Sequence, residues 1–203
     1  MMKKILLAGV LGGLAMFLWA SLAHMVLGTG SVGVKEIPSE QAMMGAMKTS
    51  LPQAGFYFFP GMGLAPGASR TEQNAAMKAY GEKVASGPSG ILIYHPSGQK
   101  ALSPGKLLTE LGTNVVQGIL AAILLSFAIG LRGYAARVGF VAIAGVMAGI
   151  TTNISYWNWY GFPGNYTFAY ACTEIVGYLC IGLVAAAIVK ESTVQTKSAR
   201  AVA

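Results

Sequence analysis

The chain has 203 residues, of which 54% are hydrophobic and only 10% are charged, and its mean hydropathy is +0.57. An ordinary soluble domain carries about 25% charged residues, so the composition excludes a soluble globule, and the high apolar content excludes a disordered chain. Two cysteines are too few for a disulfide-rich secreted scaffold. The class of protein that remains is an integral membrane protein.

Four apolar stretches are each long enough to cross a membrane. At 1.5 Å per residue, about 20 helical residues span a hydrocarbon core of about 30 Å, and only helices satisfy their own backbone groups in lipid. The sequence therefore predicts an all-α membrane protein, a four-transmembrane-helix bundle with a small α+β extracytoplasmic insert between helices 1 and 2. The predicted segments are a first helix within 1–27, the insert at 28–106, helices at 107–131, 138–157 and 168–189, and a cytoplasmic tail at 190–203.

The first segment also fits a cleavable signal peptide, with two lysines ahead of an apolar run and small residues just before His24. Apolar residues nevertheless continue to Leu27, which gives a full span. Gly9 and Gly13 form a small-xxx-small pair that is typical of helix packing. We expect an uncleaved first helix and keep cleavage before His24 as the alternative.

The basic residues of the short flanking segments all fall on one side of the predicted helices, whereas the loop at 158–167 has no charge. The positive-inside rule then places both termini in the cytoplasm and residues 28–106 outside it. These flanks, in contact with anionic lipid, also explain the net charge of +7, and no basic stripe with interleaved aromatic residues occurs, so we expect no nucleic-acid partner. The flanking basic residues are Lys3, Lys4, Arg132, Arg137, Lys190, Lys197 and Arg200.

The segment at 28–106 is too long for an idle connection, so a small domain is expected there. Capping and breaking residues predict helices over 39–49 and 71–85, and short aromatic or β-branched runs predict strands at 56–59 and 91–94. We expect these elements to form a cap that docks a protein partner.

Polar residues occur in all four predicted helices at the end nearest the insert. Glu110, Asn114 and Gln117 share one stripe of the second helix, because residues at i, i+4 and i+7 lie on one face. Ionisable residues inside a bilayer are costly and are candidates for function. The candidate ligand-binding residues are His24, His95, Glu110, Asn114, Gln117, Asn153, Tyr156, Tyr170 and Glu174.

Two interpretations of these residues stay open. In the functional one, they line a pocket that holds a quinone, a lipid or a cation, with Glu110 and Glu174 as its acids. In the structural one, Glu174 only fixes helix packing through hydrogen bonds to Asn114 and Asn153, and Glu110 pairs with Lys106 at the interface.

Metal and cofactor chemistry have no support in the sequence. His24 and His95 have no second histidine at helical spacing, so we expect no metal site. Cys172 and Cys180 lie eight residues apart on one predicted helix and cannot bond to each other. No phosphate-binding loop, dinucleotide-binding motif or nucleophile elbow occurs, so we expect no cofactor and favour a protein that is not an enzyme.

Two further patterns have alternative interpretations. Gly145 and Gly149 form a second small-xxx-small pair, which we expect to pack helices within the chain, with a homo-oligomer as the alternative. The aromatic run at 156–164 fits an interface belt, or else a platform for a lipid head group, a quinone or the Phe-rich strand of the insert.

Three segments resemble small bacterial polytopic membrane proteins of unknown function: FYFFPG at 56–61, GPSG to YHP within 87–96, and YWNWYGFP at 156–163. The resemblance implies the inner membrane of a bacterial cell. It implies no activity.

The function that we expect from the sequence is that of a non-enzymatic accessory or structural membrane protein whose insert at 28–106 docks a partner. The first alternative is a binding protein or membrane enzyme with a polar pocket near Glu110 and Glu174. The second is a small transporter, which is disfavoured because the cytoplasmic halves of the predicted helices are apolar.

Overall fold

A computed structural model describes residues 1–189, so the predicted tail at 190–203 lies outside the described residues. Contacts between Cα atoms divide the chain into two compact units. Among the described residues, the first unit contains 1–34 and 102–189, and the second contains Lys35–Ala101.

Most of the described chain is helical. A 3₁₀ turn at Thr29–Ser31 follows the first helix, and a π-helical segment at Ile150–Ile154 continues the fifth helix into the sixth without a break. In chain order the helices are α1 (Met2–Met25), α2 (Glu40–Ser50), α3 (Arg70–Ser86), α4 (Pro104–Phe127), α5 (Tyr134–Gly149), α6 (Ser155–Tyr160) and α7 (Gly164–Ile188), and the strands are β1 (Gly55–Phe59) and β2 (Gly90–Tyr94).

Four of these helices are long and apolar enough to cross a membrane: α1, α4, the continuous helix Tyr134–Tyr160, and α7. Their mean hydropathies are 2.1, 1.5, 1.6 and 2.0 respectively. The prediction of four membrane-spanning helices is confirmed for helix length and apolar composition. Their outward faces expose large apolar side chains, as contact with a lipid bilayer requires.

Local capping shifts the helix ends from the predicted positions. The second predicted helix begins at Pro104 rather than at 107, because the hydroxyl of Ser103 accepts from the backbone N–H of Lys106 and proline suits the first helical turn. It ends at Phe127 rather than at 131, and Gly130 beyond it adopts a φ of 87°. The last helix begins at Gly164 rather than at 168, directly after Pro163.

Glycines let two pairs of helices approach closely. A Cβ added to Gly9 of α1 would lie 2.5 Å from the Cα of Ile119, and one on Gly13 would lie 2.5 Å from the carbonyl oxygen of Asn114. On α5, Gly145 packs against Tyr178 and Gly149 against Ala171. Both glycine pairs therefore pack helices within the chain, as expected, and Gly145 and Gly149 are buried.

The end of the first unit that holds the N-terminus of α1 and the C-terminus of α7 is closely packed. Ile181 and Ala185 are 0% exposed and Val141 is 1% exposed. The remaining buried members of this core are Ile5, Ala8, Met16, Ala121, Ala122, Leu125, Val138, Ala186 and Val189.

Arg137 corrects one detail of the predicted topology, in which it was a charge flanking the third helix. It lies in the first turn of α5 and is only 6% exposed. Its guanidinium donates to the carbonyl oxygens of Ala186 and Val189 at the end of α7. The end of a helix leaves carbonyl groups without partners, and this arginine supplies donors to two of them.

The second unit contains α2, α3 and an antiparallel hairpin in which Gly55 pairs with Tyr94 and Phe59 with Gly90. All four elements agree with the sequence prediction to within about one residue, inside the usual uncertainty of element ends. The helix α3 begins with a capping box, in which Ser69 and Glu72 bond each other's backbone N–H groups.

Candidate functional site

A cavity of about 630 Å³ lies in the first unit, between α1, α4, the π segment with α6, and α7. It occupies the end opposite to the closely packed core. The predicted ligand-binding residues that line it are His24, Glu110, Asn114, Gln117, Asn153, Tyr156, Tyr170 and Glu174. The structure therefore brings together all the predicted site residues except His95.

Two polar atoms in the wall have no partner among the described residues. Asn114 is only 2% exposed, and its side-chain Nδ2 is buried without an acceptor. One turn further along α4, the Oε1 of the half-buried Gln117 is buried without a donor. Each such group costs about 1–3 kcal/mol when it is left unpaired, so this part of α4 lacks the bonds that its side chains require.

Asn153 and Glu174 are joined across the cavity wall. The Nδ2 of Asn153 donates to the carbonyl oxygen of Gly149 at 3.0 Å and to Oε2 of Glu174 at 3.4 Å. Asn153 lies in the π segment, and such wider turns occur frequently at functional sites. The expected bond between Glu174 and Asn153 is confirmed, whereas the one expected between Glu174 and Asn114 is wrong, because the Asn114 amide has no acceptor.

His24 and Glu110 differ from these buried groups because both side chains are exposed. His24 ends one side of the cavity at the last turn of α1, and its ring meets the ring of Tyr170 edge to face at 5.4 Å. Glu110 lies one turn before Asn114 on α4. They occupy the open part of the cavity, and the amides of Asn114 and Asn153 occupy the closed part.

One side of the site is a continuous series of aromatic rings. Tyr156 stacks on Phe162 at 5.4 Å, Phe162 contacts Tyr166 at 5.3 Å, and Tyr166 stacks on Tyr170 at 4.2 Å. The series ends at His24. Part of the predicted aromatic run thus belongs to the cavity wall, while Trp159 is 79% exposed.

The loop after α1 packs against two rings of this series, His24 and Tyr166. A Cβ on Gly30 would lie 2.7 Å from Nδ1 of His24, and one on Gly33, which has a φ of 77°, would lie 2.8 Å from Cβ of Tyr166. Any larger residue at either position would displace the ring next to it. These two glycines therefore allow the loop to pack closely against His24 and Tyr166.

Several wall residues were not predicted from the sequence. The indole N–H of Trp19 donates to the carbonyl oxygen of Thr173 at 2.9 Å, which holds the ring against α7. Met16 forms the floor and packs on Gly177, where an added Cβ would lie 2.9 Å from Cε of the methionine. The sequence held a signal for Met16 but none for Trp19, because Met16, Ala20 and His24 recur at intervals of four residues on one helix face.

The wall is acidic and has no strong base. Glu110 and Glu174 line it, and among residues 1–189 no lysine or arginine does. Over the same range, no group of three or more His, Cys, Asp or Glu side chains is arranged to hold a metal ion. The wall of the cavity therefore combines two carboxyl groups with several aromatic rings.

The position of His95 differs from the prediction. It directly follows β2 in the second unit and is exposed, so it is not one of the residues that line the cavity. Its sequence context, His-Pro-Ser-Gly, leads into a turn in which Gly98 has a φ of 83°. Cys172 and Cys180 are both free thiols, as expected from their spacing, and neither lines the cavity.

Comparison with protein-family models, with curated proteins and with solved structures finds no match to this chain. Function is therefore inferred from the residues and the chemistry of the site itself.

Proposed function

We propose that this chain is a binding protein of a bacterial inner membrane, which holds a small, largely apolar ligand in the cavity between its four membrane-spanning helices. The observation that carries the proposal is Asn114, whose buried amide has no acceptor although it lines a cavity of about 630 Å³. A cavity of this size with a few convergent polar groups is typical of a ligand site. A helix that served packing alone would gain stability from an apolar residue at this position.

The proposed topology has four helices in a bundle, with both termini in the cytoplasm and the second unit outside it. The basic residues of the short flanks support it, since Arg132 lies at the closely packed end and Lys3 and Lys4 begin α1 at the same end. The cavity then opens toward the extracytoplasmic leaflet.

This topology can be tested by labelling intact cells with a membrane-impermeant maleimide. In a background of Cys172→Ala and Cys180→Ala, Ser97→Cys in the second unit should react, and Arg132→Cys should react only after the cells are lysed. The reverse pattern would contradict the topology.

The binding role can be tested by native mass spectrometry of protein purified gently from its own membrane. We expect wild-type protein to retain a non-lipid small molecule, and Asn114→Leu to lose it. Thr113→Val, at an exposed position next to it on α4, is the matched control and should retain the molecule. Retention by Asn114→Leu, or no bound molecule in any sample, would contradict the proposal.

The second candidate is the accessory role, in which the second unit docks a protein partner. It is supported by the exposed apolar side chains of the hairpin, since Phe56 is 52%, Phe58 is 53% and Ile93 is 65% exposed. A defined polypeptide that co-purifies with wild-type protein, and is lost after Ile93→Lys, would favour this role.

A transporter is disfavoured because Ile181, Ala185 and Val141 are at most 1% exposed in the closely packed end of the described helices. Flux of solute in proteoliposomes would overturn this ranking.

A further inference from the structure

The ionisable side chains of the cavity wall are mainly acidic. Glu110 and Glu174 contribute carboxyl groups, His24 is the one side chain of basic type in the wall, and among the described residues no lysine or arginine lines it. A ligand with a negative charge would meet two acids there and no permanent positive charge.

The carboxyl group of Glu174 is incompletely paired by the neighbouring groups of the protein. It is half-buried in a membrane-spanning helix, and the bond from Asn153, at 3.4 Å, is near the upper limit for a hydrogen bond. Charges inside a membrane are normally paired with an opposite charge or fully hydrogen-bonded. A cationic group in the cavity would supply what the neighbouring helices do not.

The aromatic side of the cavity favours the same charge. Tyr156, Tyr166, Tyr170 and Trp19 place electron-rich rings in the wall. Ammonium groups are attracted to the faces of such rings, and the attraction increases when water is excluded. The apolar floor at Met16 and Gly177 leaves room for a hydrophobic body behind the charge.

Two residues of α4 that line the cavity, Asn114 and Gln117, each carry a buried polar atom without a partner among the described residues. The Nδ2 of Asn114 needs an acceptor and the Oε1 of Gln117 needs a donor, one helical turn apart. A hydroxyl group or a secondary amide in the ligand provides both functions.

We propose that the ligand is an amphiphilic organic amine, bound with its ammonium group at Glu174, its apolar body over Met16 and Gly177, and a neutral polar group at Asn114 and Gln117. This assignment rests on the proposed binding function and gives that function a ligand class. A neutral quinone would use the same amides but would gain nothing from the two acids.

The test uses Trp19 as a reporter, because its indole lines the cavity. Trp157→Phe and Trp159→Phe leave it as the only tryptophan in the chain. The full-length protein is titrated in lipid nanodiscs with three probes that share one skeleton: 2-phenylethylamine, 2-phenylethanol and 3-phenylpropanoate.

We expect the amine to bind about tenfold more tightly than the alcohol, as a desolvated ammonium near a carboxylate and aromatic rings requires, and the anion to bind more weakly than either. Glu174→Gln should remove the preference for the amine over the alcohol, because it replaces the carboxylate with a neutral amide of similar size. Glu82→Gln, on α3 in the second unit, is the matched control and should keep the preference.

The outcomes separate this inference from the proposed function. Equal or tighter binding of the alcohol or the anion would overturn the amine assignment and leave the cavity as a ligand site. No binding of any probe at millimolar concentration would overturn both. If Glu174→Gln fails to fold, the preference measured on the parent protein alone still decides between amine and neutral ligand.

Discussion

The guanidinium of Arg137 donates to the carbonyl oxygen of Ala186 at 3.4 Å, which ties the first turn of α5 to the last turn of α7. A second bond reaches the carbonyl oxygen of Val189. The positive charge also lies at the helix end that carries partial negative charge, so the electrostatic and hydrogen-bonding contributions have the same sign. This contact closes the packed end of the first unit.

Replacing Arg137 with Met should therefore lower the free energy of unfolding by about 2 kcal/mol, because the terminal carbonyls of α7 lose charged donors. The measurement is thermal unfolding in detergent. Arg132→Met is the matched control, since Arg132 is exposed in the segment between α4 and α5. Equal melting temperatures for the two variants would show that the contact contributes nothing.

Gly118→Ala should lower the stability by about 1–3 kcal/mol, as overpacking does in a closely packed site. The new Cβ would meet the carbonyl oxygen of Gly9 and lie 2.8 Å from the backbone N of Gly13, and a backbone cannot move aside cheaply.

Gly112→Ala is the control on the same helix, because nothing lies within 4 Å of a Cβ there. It should raise the stability by up to about 1 kcal/mol through helix propensity. The prediction fails if both alanine variants melt above the wild type.

Asn114→Leu should raise the melting temperature of ligand-free protein and abolish ligand binding, because it removes an unpaired buried amide that costs about 1–3 kcal/mol. Asn153→Leu should have the opposite effect on stability, since that amide makes two hydrogen bonds. Unfolding is followed after any bound molecule has been removed. A loss of stability in Asn114→Leu would mean that the amide serves the fold.

The N-terminus of α3 should weaken as the pH falls. The hydroxyl of Ser69, and then its backbone N–H, donate to the carboxylate of Glu72 and lower the pKa of Glu72 below its ordinary value of 4.5. A group with a lowered pKa in the folded state stabilises that state above its unfolded pKa, and this contribution disappears as the pH falls through the folded pKa.

Amide hydrogen exchange at residues 70–74, corrected for the intrinsic rate at each pH, should show this loss of protection below about pH 4.5 in the wild type. Glu72→Gln should show lower protection that no longer depends on pH over the same range. Glu82→Gln, further along α3, should behave as the wild type. Unchanged pH dependence in Glu72→Gln would assign the effect to another group.

The membrane helices and most of the site could be predicted from the sequence because both depend on simple spacing. Apolar length predicts a spanning helix, and consecutive helices that cross in alternate directions bring the polar ends of all four together. Spacing alone therefore assigns Asn114 and Glu174 to one site, while their role in binding stays a prediction.

Other features depend on contacts that spacing does not contain. Apolar spacing does not distinguish the π segment around Asn153 from an α-helix, and the bond to Glu174 exists only across two helices. Arg137 has the sequence position of a flanking charge, and its burial depends on where α7 ends. Trp19 belongs to no polar stripe in the sequence. Its indole N–H bonds to a backbone carbonyl of another helix, and sequence spacing does not predict such a bond.

The contrast between the two ends of the first unit has a consequence for exchange. The cavity is open beside Glu110 and His24, while Ile181 and Val141 are 0% and 1% exposed at the other end. Under the proposed topology, a molecule bound beside Glu110 and His24 would enter and leave from the extracytoplasmic side. Occupancy would then respond to the concentration on that side of the membrane.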